Sequence, residues 1–182
     1  INPWKWENFW LIYSVIALIL LPIICGFIIV PNFTDVLLNS PLNSVFFSFL
    51  FGMLWGIGSV LFGLSVTRIG LSLSYSLILG LIIIIGSLLP LFSNLPTSKV
   101  ILTLMVGALF IFIGLAISAY AGIKRDGLEK SKGFKTGLII AVVSGITSPM
   151  LNIGFIYGKP IFETAKLFGA TNASATIPIW MI

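Results

Sequence analysis

The sequence predicts an all-α, polytopic membrane protein in which a bundle of apolar helices crosses the bilayer. Hydrophobic residues make up 58% of the 182 residues and charged residues only 8%, against about 25% in ordinary soluble domains. The mean hydropathy is +1.17, so most of the surface has to face lipid rather than water. Several long uncharged stretches, each sufficient for a membrane helix of about 20 residues, indicate the same class.

The uncharged stretches predict five complete spans and the start of a sixth, labelled A to F. In chain order they are residues 9–30, 42–67, 69–98, 100–123, 136–158 and 167–182. Span C is too long for one helix, and Pro90 with the polar residues after it predicts a helix end near Leu91. Because the chain begins at Ile1 and stops within apolar span F, we expect it to be a piece of a longer membrane protein.

Basic residues are distributed unequally between the two ends of the spans. One side carries Lys5, Arg68, Lys124, Arg125, Lys130, Lys132 and Lys135, and the other carries Lys99, Lys159 and Lys166. By the positive-inside rule the richer side faces the cytoplasm. We therefore predict a multi-pass protein of the cell (inner) membrane that has the lipid bilayer as a partner and no nucleic-acid partner.

The basic stretch 124–135 is the longest polar connection and predicts a boundary between two sets of helices. Residues 1–123 would form the end of a first helix set, and residues 136–182 would form the start of a second. Together they make one partial membrane domain over residues 1–182.

Ionisable side chains are absent from the interiors of the predicted spans, and the chain has no histidine. A membrane metalloprotease needs histidine and acidic ligands, and a serine hydrolase needs a histidine base. Both enzyme classes are excluded for this segment, and we predict no catalytic residue, no metal site and no cofactor. If protons are coupled to its activity, their carrier is a helix-end acid, Glu7 or Glu163, or lies outside this sequence.

Span E contains the richest set of neutral polar side chains. Ser148 and Asn152 share a helix face with Gly145, and Pro149 interrupts the helix between them. Broken helices near the midplane bind substrate in many transporters, so Ser148 and Asn152 are candidates for a substrate path. The alternative is an ordinary proline kink satisfied by Ser144 or Ser148.

Aromatic side chains supply further path candidates. Trp55, Ser59 and Phe62 lie on roughly one face of span B, where an indole beside a hydroxyl is a plausible surface for a sugar. The alternative is packing in the core or against lipid. Tyr75 in span C and Tyr157 at the end of span E each need a partner for the phenol if buried.

Two charged residues close span E on the outer side. Lys159 and Glu163 are four positions apart and can pair on a helix. We interpret them either as a gate at the mouth of the path or as a solvated pair of little energetic weight.

Small residues recur at three- and four-residue spacing within residues 51–80. The first row is Gly52, Gly56, Ser59 and Gly63, and the second is Ser72, Ser76 and Gly80. Such rows let membrane helices approach closely. We predict two helices that pack through these faces and are joined by a short basic turn at Arg68.

The string FGMLWGIGSVLFG at residues 51–63 resembles the central helices of the L-rhamnose–proton symporter family, which belongs to the drug/metabolite transporter superfamily. The resemblance covers nearly the whole chain. It continues in Arg68, Leu71-Ser72, Trp4-Lys5-Trp6-Glu7, Lys132-Gly133, Lys159-Pro160, Glu163, Leu167 and Gly169.

This resemblance implies a drug/metabolite transporter bundle of ten helices in two halves, with spans A to F as the second to the seventh. It also implies uptake of a small neutral sugar, L-rhamnose or a related deoxysugar, by symport with a proton. Where family members carry amide and phenol side chains, this chain has the less polar Ser59-Val60-Leu61-Phe62. The alternatives are a carrier or exporter of another small metabolite, and a membrane subunit that transports nothing.

Overall fold

The computed structural model describes residues 4–88, 98–126 and 133–182. Helices are the only regular secondary structure within these ranges, which confirms the all-α prediction. In chain order they are α1 (Trp6–Tyr13), a π-helical segment (Ser14–Leu20), α2 (Leu21–Ile29), α3 (Phe33–Asn39), α4 (Leu42–Ile69), α5 (Leu71–Leu88), α6 (Ser98–Asp126), α7 (Phe134–Thr147), α8 (Met150–Tyr157), α9 (Lys159–Leu167) and α10 (Ile177–Met181).

Within the described ranges, four helical stretches are long and apolar enough to cross a bilayer. They are Glu7–Ile29, Leu42–Ile69, Ser98–Gly122 and Phe134–Leu167, at the positions of predicted spans A, B, D and E. Span C corresponds to α5, which contributes a shorter apolar helix, Leu71–Gly86. Its predicted end near Leu91 lies outside the described residues. The fold is that of a polytopic helical membrane protein.

Helices α4 and α5 are joined by a single residue, Gly70, at the predicted turn. Gly70 has a φ of 77°, a left-handed conformation that glycine adopts without steric cost. Its N–H donates to the Val66 carbonyl at 3.0 Å, which ends α4 in an αL motif. Arg68 is exposed in the last turn of α4, where a positive charge complements the helix dipole.

The helical run of span E is interrupted twice. Ser148 and Pro149 separate α7 from α8, as the missing N–H of proline predicts. Gly158 separates α8 from α9. The predicted outer end of span E at Gly158 is therefore a short break, after which α9 continues as an amphipathic helix with buried Ile161 and Ala165.

No helix opens at residue 167, so the prediction for span F is wrong at its start. Helix α9 ends there in a Schellman motif, in which the N–H of Ala170 donates to the carbonyl of Ala165 and the N–H of Gly169 donates to that of Lys166, both at 3.0 Å. Gly169 takes a φ of 96°, which residues with a Cβ rarely adopt. Turns follow, and the next helix is α10.

The chain divides into two compact units, each with its own apolar core. Unit 1 comprises Ile1–Leu50 and Gly154–Ile182, and unit 2 comprises Phe51–Ile153. In unit 1 the short helices α3, α9 and α10 pack on one another. The buried core of unit 1 consists of Val30, Phe33, Val36, Ala165, Ala170 and Ala175.

In unit 2, α5 is the central helix and packs against both α6 and α7. The buried core of this unit consists of Ile69, Leu73, Ile78 and Ala141. Ser72 of α5 donates to the Ser118 carbonyl of α6 at 2.9 Å. A Cβ at Gly122 of α6 would lie only 2.5 Å from the Cβ of Ser72, so the two backbones approach closely. The prediction that the second row of small residues packs helices is confirmed at Ser72.

Candidate functional site

Within unit 2, α4 has one exposed apolar face and another face that packs against its neighbours. The residues of the exposed apolar face recur every three or four positions: Met53, Ile57, Val60 and Leu64. The packed face holds buried residues that contact α5 or α7: Gly58, Ser65 and Ile69. A third face, which carries the first small-residue row, lies beside these two.

The third face of α4 is open at two of its glycines. Among the residues that the structure describes, no atom lies within 4 Å of a Cβ built at Gly52 or Gly56. Within the described part of the chain, no helix packs against these two positions. Trp55 and Ser59, both half-buried, border the same face. This face has room for a ligand or for another part of the protein.

Three of the path candidates in α4 and α5 make local contacts. The Ser59 hydroxyl donates to the Trp55 carbonyl at 3.1 Å, which leaves its oxygen able to accept a further hydrogen bond. The ring of Phe62 meets that of Tyr75 edge to face, with centroids 4.8 Å apart. Phe62 also packs against the core of unit 2. These contacts favour a packing role for Phe62, whereas Tyr75 is 43% exposed.

The break between α7 and α8 is stabilised by local hydrogen bonds. The Ser148 hydroxyl donates to the Ser144 carbonyl at 2.7 Å, and the Ser148 N–H donates to the same oxygen at 2.8 Å. Pro149 is fully buried. The use of the Ser148 hydroxyl inside its own helix favours the simple proline kink for this residue.

Helix α4 touches this break at Gly58. A Cβ there would lie 2.6 Å from Thr147 Oγ1 and 3.1 Å from the Ser148 nitrogen. The Gly58 carbonyl accepts a buried hydrogen bond from Ser144 Oγ at 2.8 Å. The spacing of small residues within α4 does not predict that Gly58, rather than Gly56, makes the close contact. The sequence of α7 does indicate a contact site, because small polar residues cluster there before Pro149.

Asn152 follows Pro149 by less than one helical turn and is exposed. Its side chain forms no hydrogen bond with any described residue. Asn152 Nδ2 lies 4.0 Å from the position that a Cβ would occupy at Gly86 of α5. An amide left unpaired in hydrocarbon costs several kcal/mol, so this side chain needs water, a polar ligand or another polar group beside it.

The other candidates lie in unit 1. Tyr157 at the end of α8 is 43% exposed, and its ring centroid is 4.8 Å from that of Phe47. Glu7 is exposed in the first turn of α1, where an acid complements the helix dipole. Lys159 and Glu163 are exposed on α9. Their exposure is compatible with a gate or with a solvated surface.

A separate cleft of about 250 Å³ lies between α5 and α6 of unit 2. Its walls are apolar apart from Ser76, and none of the candidate path residues lines it. Ser76 donates its hydroxyl to the Ser72 carbonyl of its own helix at 2.8 Å. The cleft therefore offers little to a polar ligand.

The comparisons with known proteins agree along the whole chain. The family model described as "L-rhamnose-proton symport protein (RhaT)" matches residues 1–182. The L-rhamnose-proton symporters of Yersinia pestis bv. Antiqua (strain Antiqua) and Yersinia pseudotuberculosis serotype O:3 (strain YPIII) are each 29% identical over 192 residues. The match covers 100% of this chain and 56% of each relative, so the chain spans about half their length. No solved structure matches significantly.

The family is one of transporters rather than enzymes. The apolar helices of the chain make it a multi-pass membrane protein. The match is not confined to a motif, since it includes every span and every connection. The chain belongs to the L-rhamnose–proton symporter family.

Proposed function

We propose that this chain is the central part of a secondary active transporter that carries L-rhamnose or a related deoxysugar, together with a proton, across the cytoplasmic membrane. The observation that carries the proposal is the family match over residues 1–182. The relatives, of which the chain spans about half, are named L-rhamnose-proton symporters. The excess of basic residues on one side supports an orientation with that side in the cytoplasm.

The substrate path in this proposal passes Asn152 and the open face of α4. A sugar needs hydrogen-bond partners for its hydroxyls and an apolar surface for its C–H face. Asn152 has an unpaired amide that both donates and accepts, and Trp55 supplies an indole beside the open glycines. Ser59 retains an acceptor. Ser148, Tyr75, Phe62 and Tyr157 are secondary candidates because their contacts are partly structural.

The proposal of proton coupling rests on the family match and not on an acidic side chain buried in a span. Glu7 and Glu163 are helix-end carboxylates in unit 1, and Lys159 lies on the same short helix as Glu163. We assign Lys159 and Glu163 to a gate at the outer end of the path. The coupling group is then Glu7, Glu163 or a group in the remaining length of the protein.

The proposed boundary between two helix sets is the basic connection 124–135. Residues 127–132 of this connection lie outside the described residues. In this proposal residues 1–123 and 136–182 belong to different halves of a transporter that works by alternating access.

A second candidate substrate is a less polar small metabolite. The observation that favours it is the lack of free polar groups after Trp55, because the Ser59 hydroxyl donates within its own helix and Phe62 packs on Tyr75. A ligand with fewer hydroxyls than rhamnose would lose fewer hydrogen bonds to water when it binds at this face.

The transport proposal is tested with the full-length protein in sealed vesicles. We expect labelled L-rhamnose to accumulate when an inward proton gradient is imposed, and a protonophore to abolish accumulation. Competition by an excess of unlabelled sugars and of less polar metabolites separates the two candidate substrates. If rhamnose neither enters nor competes under any gradient, the sugar proposal is wrong.

The path residues are tested by Asn152→Ala and Trp55→Ala in the same vesicles. Loss of one hydrogen bond or one stacking contact is worth about 0.5–1.5 kcal/mol, so each KM should rise about two- to twelvefold. The matched controls are Ile139→Ala on α7 and Ile57→Ala on the exposed apolar face of α4, since both residues are exposed. Wild-type KM values in Asn152→Ala and Trp55→Ala would remove those residues from the path.

A further inference from the structure

Helix α4 approaches the break between α7 and α8 closely at Gly58. A Cβ at this position would be 2.6 Å from Thr147 Oγ1, 3.1 Å from the Ser148 nitrogen and 3.2 Å from Ser148 Oγ. Real Cβ contacts are essentially never closer than 3.0 Å, so even a methyl group would force the helices apart by about 0.4 Å or more. The absence of a side chain at Gly58 is therefore what permits this crossing.

Ser144 connects the crossing to the break. Its hydroxyl is fully buried and donates to the Gly58 carbonyl at 2.8 Å. Its own carbonyl accepts hydrogen bonds from both the N–H and the hydroxyl of Ser148. One residue thus fixes the end of α7 against α4 and also stabilises the first residue of the break.

Thr147 has little freedom to yield to a larger neighbour. Its Oγ1 donates to the Val143 carbonyl at 2.9 Å and lies 3.2 Å from the Ser144 carbonyl. A rotation that moved Oγ1 away from Gly58 would lose these contacts, and threonine is restricted at χ1 within a helix. A clash at Gly58 is consequently relieved by movement of α7 and of the break rather than by one side chain.

We propose that Gly58 and Ser144 are positioning residues, which hold the end of α7 against α4 so that α8 leaves the break in the direction that presents the Asn152 amide to the substrate. Asn152 follows Pro149 by less than one helical turn, and the Asn152 N–H donates to the Pro149 carbonyl at 3.0 Å. A displacement of Ser148 and Pro149 therefore moves Asn152 by a similar distance. This inference rests on the proposed function, in which Asn152 contacts the substrate.

The first test is the KM for labelled L-rhamnose in vesicles that contain the full-length protein. Gly58→Ala should raise KM about tenfold while the amount of inserted protein and the Vmax per transporter change little. Thr147→Ala removes the nearest clashing atom, so the Gly58→Ala/Thr147→Ala variant should recover most of the affinity. The control is Gly114→Ala on α6, where no described atom lies within 4 Å of the added Cβ.

A second variant covers the case in which Gly58→Ala does not insert. Ser144→Ala removes the hydrogen bond to Gly58 without adding volume, and its KM should rise about three- to tenfold. A purely structural role would lower the melting temperature or the yield and leave the KM of the inserted protein unchanged. Wild-type KM values for the inserted Gly58→Ala and Ser144→Ala proteins would overturn the proposal.

A measurement without any sugar separates this inference from the transport proposal. Asn152→Cys is introduced into a full-length protein without other cysteines, which requires Cys25→Ser in this chain, and a hydrophilic maleimide is used to measure its labelling rate. We expect Gly58→Ala to change that rate at least threefold and Thr147→Ala to reverse the change. If no sugar is transported, the proposed function fails and this readout still decides the positioning role. An unchanged labelling rate would refute it.

Discussion

The buried hydroxyl pair between α4 and α5 allows a quantitative prediction. Ser65 and Ser74 are both fully buried, and their Oγ atoms are 2.8 Å apart. The two helices are connected by Gly70 alone, which holds this part of α5 beside α4. Ser65→Ala or Ser74→Ala would therefore leave one hydroxyl buried without its partner.

The expected magnitude follows from the cost of an unpaired hydroxyl. A buried polar group that loses its partner costs about 1–3 kcal/mol in water-soluble proteins. Measured side-chain pairs in a membrane protein average about 0.6 and reach about 1.7 kcal/mol, because the unfolded state in lipid also finds partners. We expect each single substitution to cost about 1 kcal/mol. The double substitution removes both hydroxyls and should cost no more than one single substitution.

The assay is a double-mutant cycle on unfolding of the full-length protein in mixed micelles. A coupling of about 1 kcal/mol between Ser65 and Ser74 is the predicted result. Ser76→Ala serves as a control, because the Ser76 hydroxyl bonds within its own helix and its loss strands no partner on another helix. If the two single substitutions add in the double variant, the hydroxyl pair does not join the helices energetically and the reasoning fails.

Two further predictions concern orientation and the end of α9. If the basic side faces the cytoplasm, as we propose, a cysteine introduced as Lys135→Cys should resist an impermeant maleimide added outside intact cells, whereas Lys159→Cys should react. The reverse labelling pattern would invert the proposed topology. Gly169→Ala should destabilise the protein by about 1–2 kcal/mol, since alanine is strained at a φ of 96°. Its thermal unfolding is compared with that of Gly107→Ala in open helical surroundings, and equal melting temperatures would contradict the Schellman end.

The membrane class and most spans were predictable because one physical requirement fixes them. A helix that crosses hydrocarbon needs about 20 residues without charge, and this requirement is visible in composition alone. The break at Pro149 was predictable for the same kind of reason, since proline lacks the donor that a helix needs. In both cases a local property of the chain decides the outcome.

The start of span F was not predictable from the absence of charge. Ala170 and Ala175 are uncharged because they are buried in the core of unit 1, and not because they face lipid in a helix. Helix α9 ends before these residues, in a Schellman motif that depends on the left-handed conformation of Gly169. An uncharged run is therefore expected both for residues buried in the protein core and for residues that face lipid. Only Gly169 indicates from the sequence that a helix ends here.

The role of each small residue in α4 was likewise not predictable from the spacing of these residues in the sequence. Gly52 and Gly56 have the spacing of a packing row, yet the space beside them is open in the described part of the chain. Gly58 lies outside that row and makes the close contact. Which glycine is packed depends on where the partner helix carries its own small residues, here Ser144 and Thr147. Spacing within one helix cannot supply that information.

The contrast between paired hydroxyls and one unpaired amide is the structural argument for a path beside α8. Among the described residues, every buried side-chain nitrogen or oxygen has a hydrogen-bond partner. The serines of unit 2 achieve this through bonds to neighbouring helices or to their own backbone. Asn152 has no such bond although it follows a helix break within an apolar run. Because lipid penalises an unpaired amide, Asn152 has to meet water, substrate or a polar group of the remaining protein. The sugar path that we propose would satisfy that requirement.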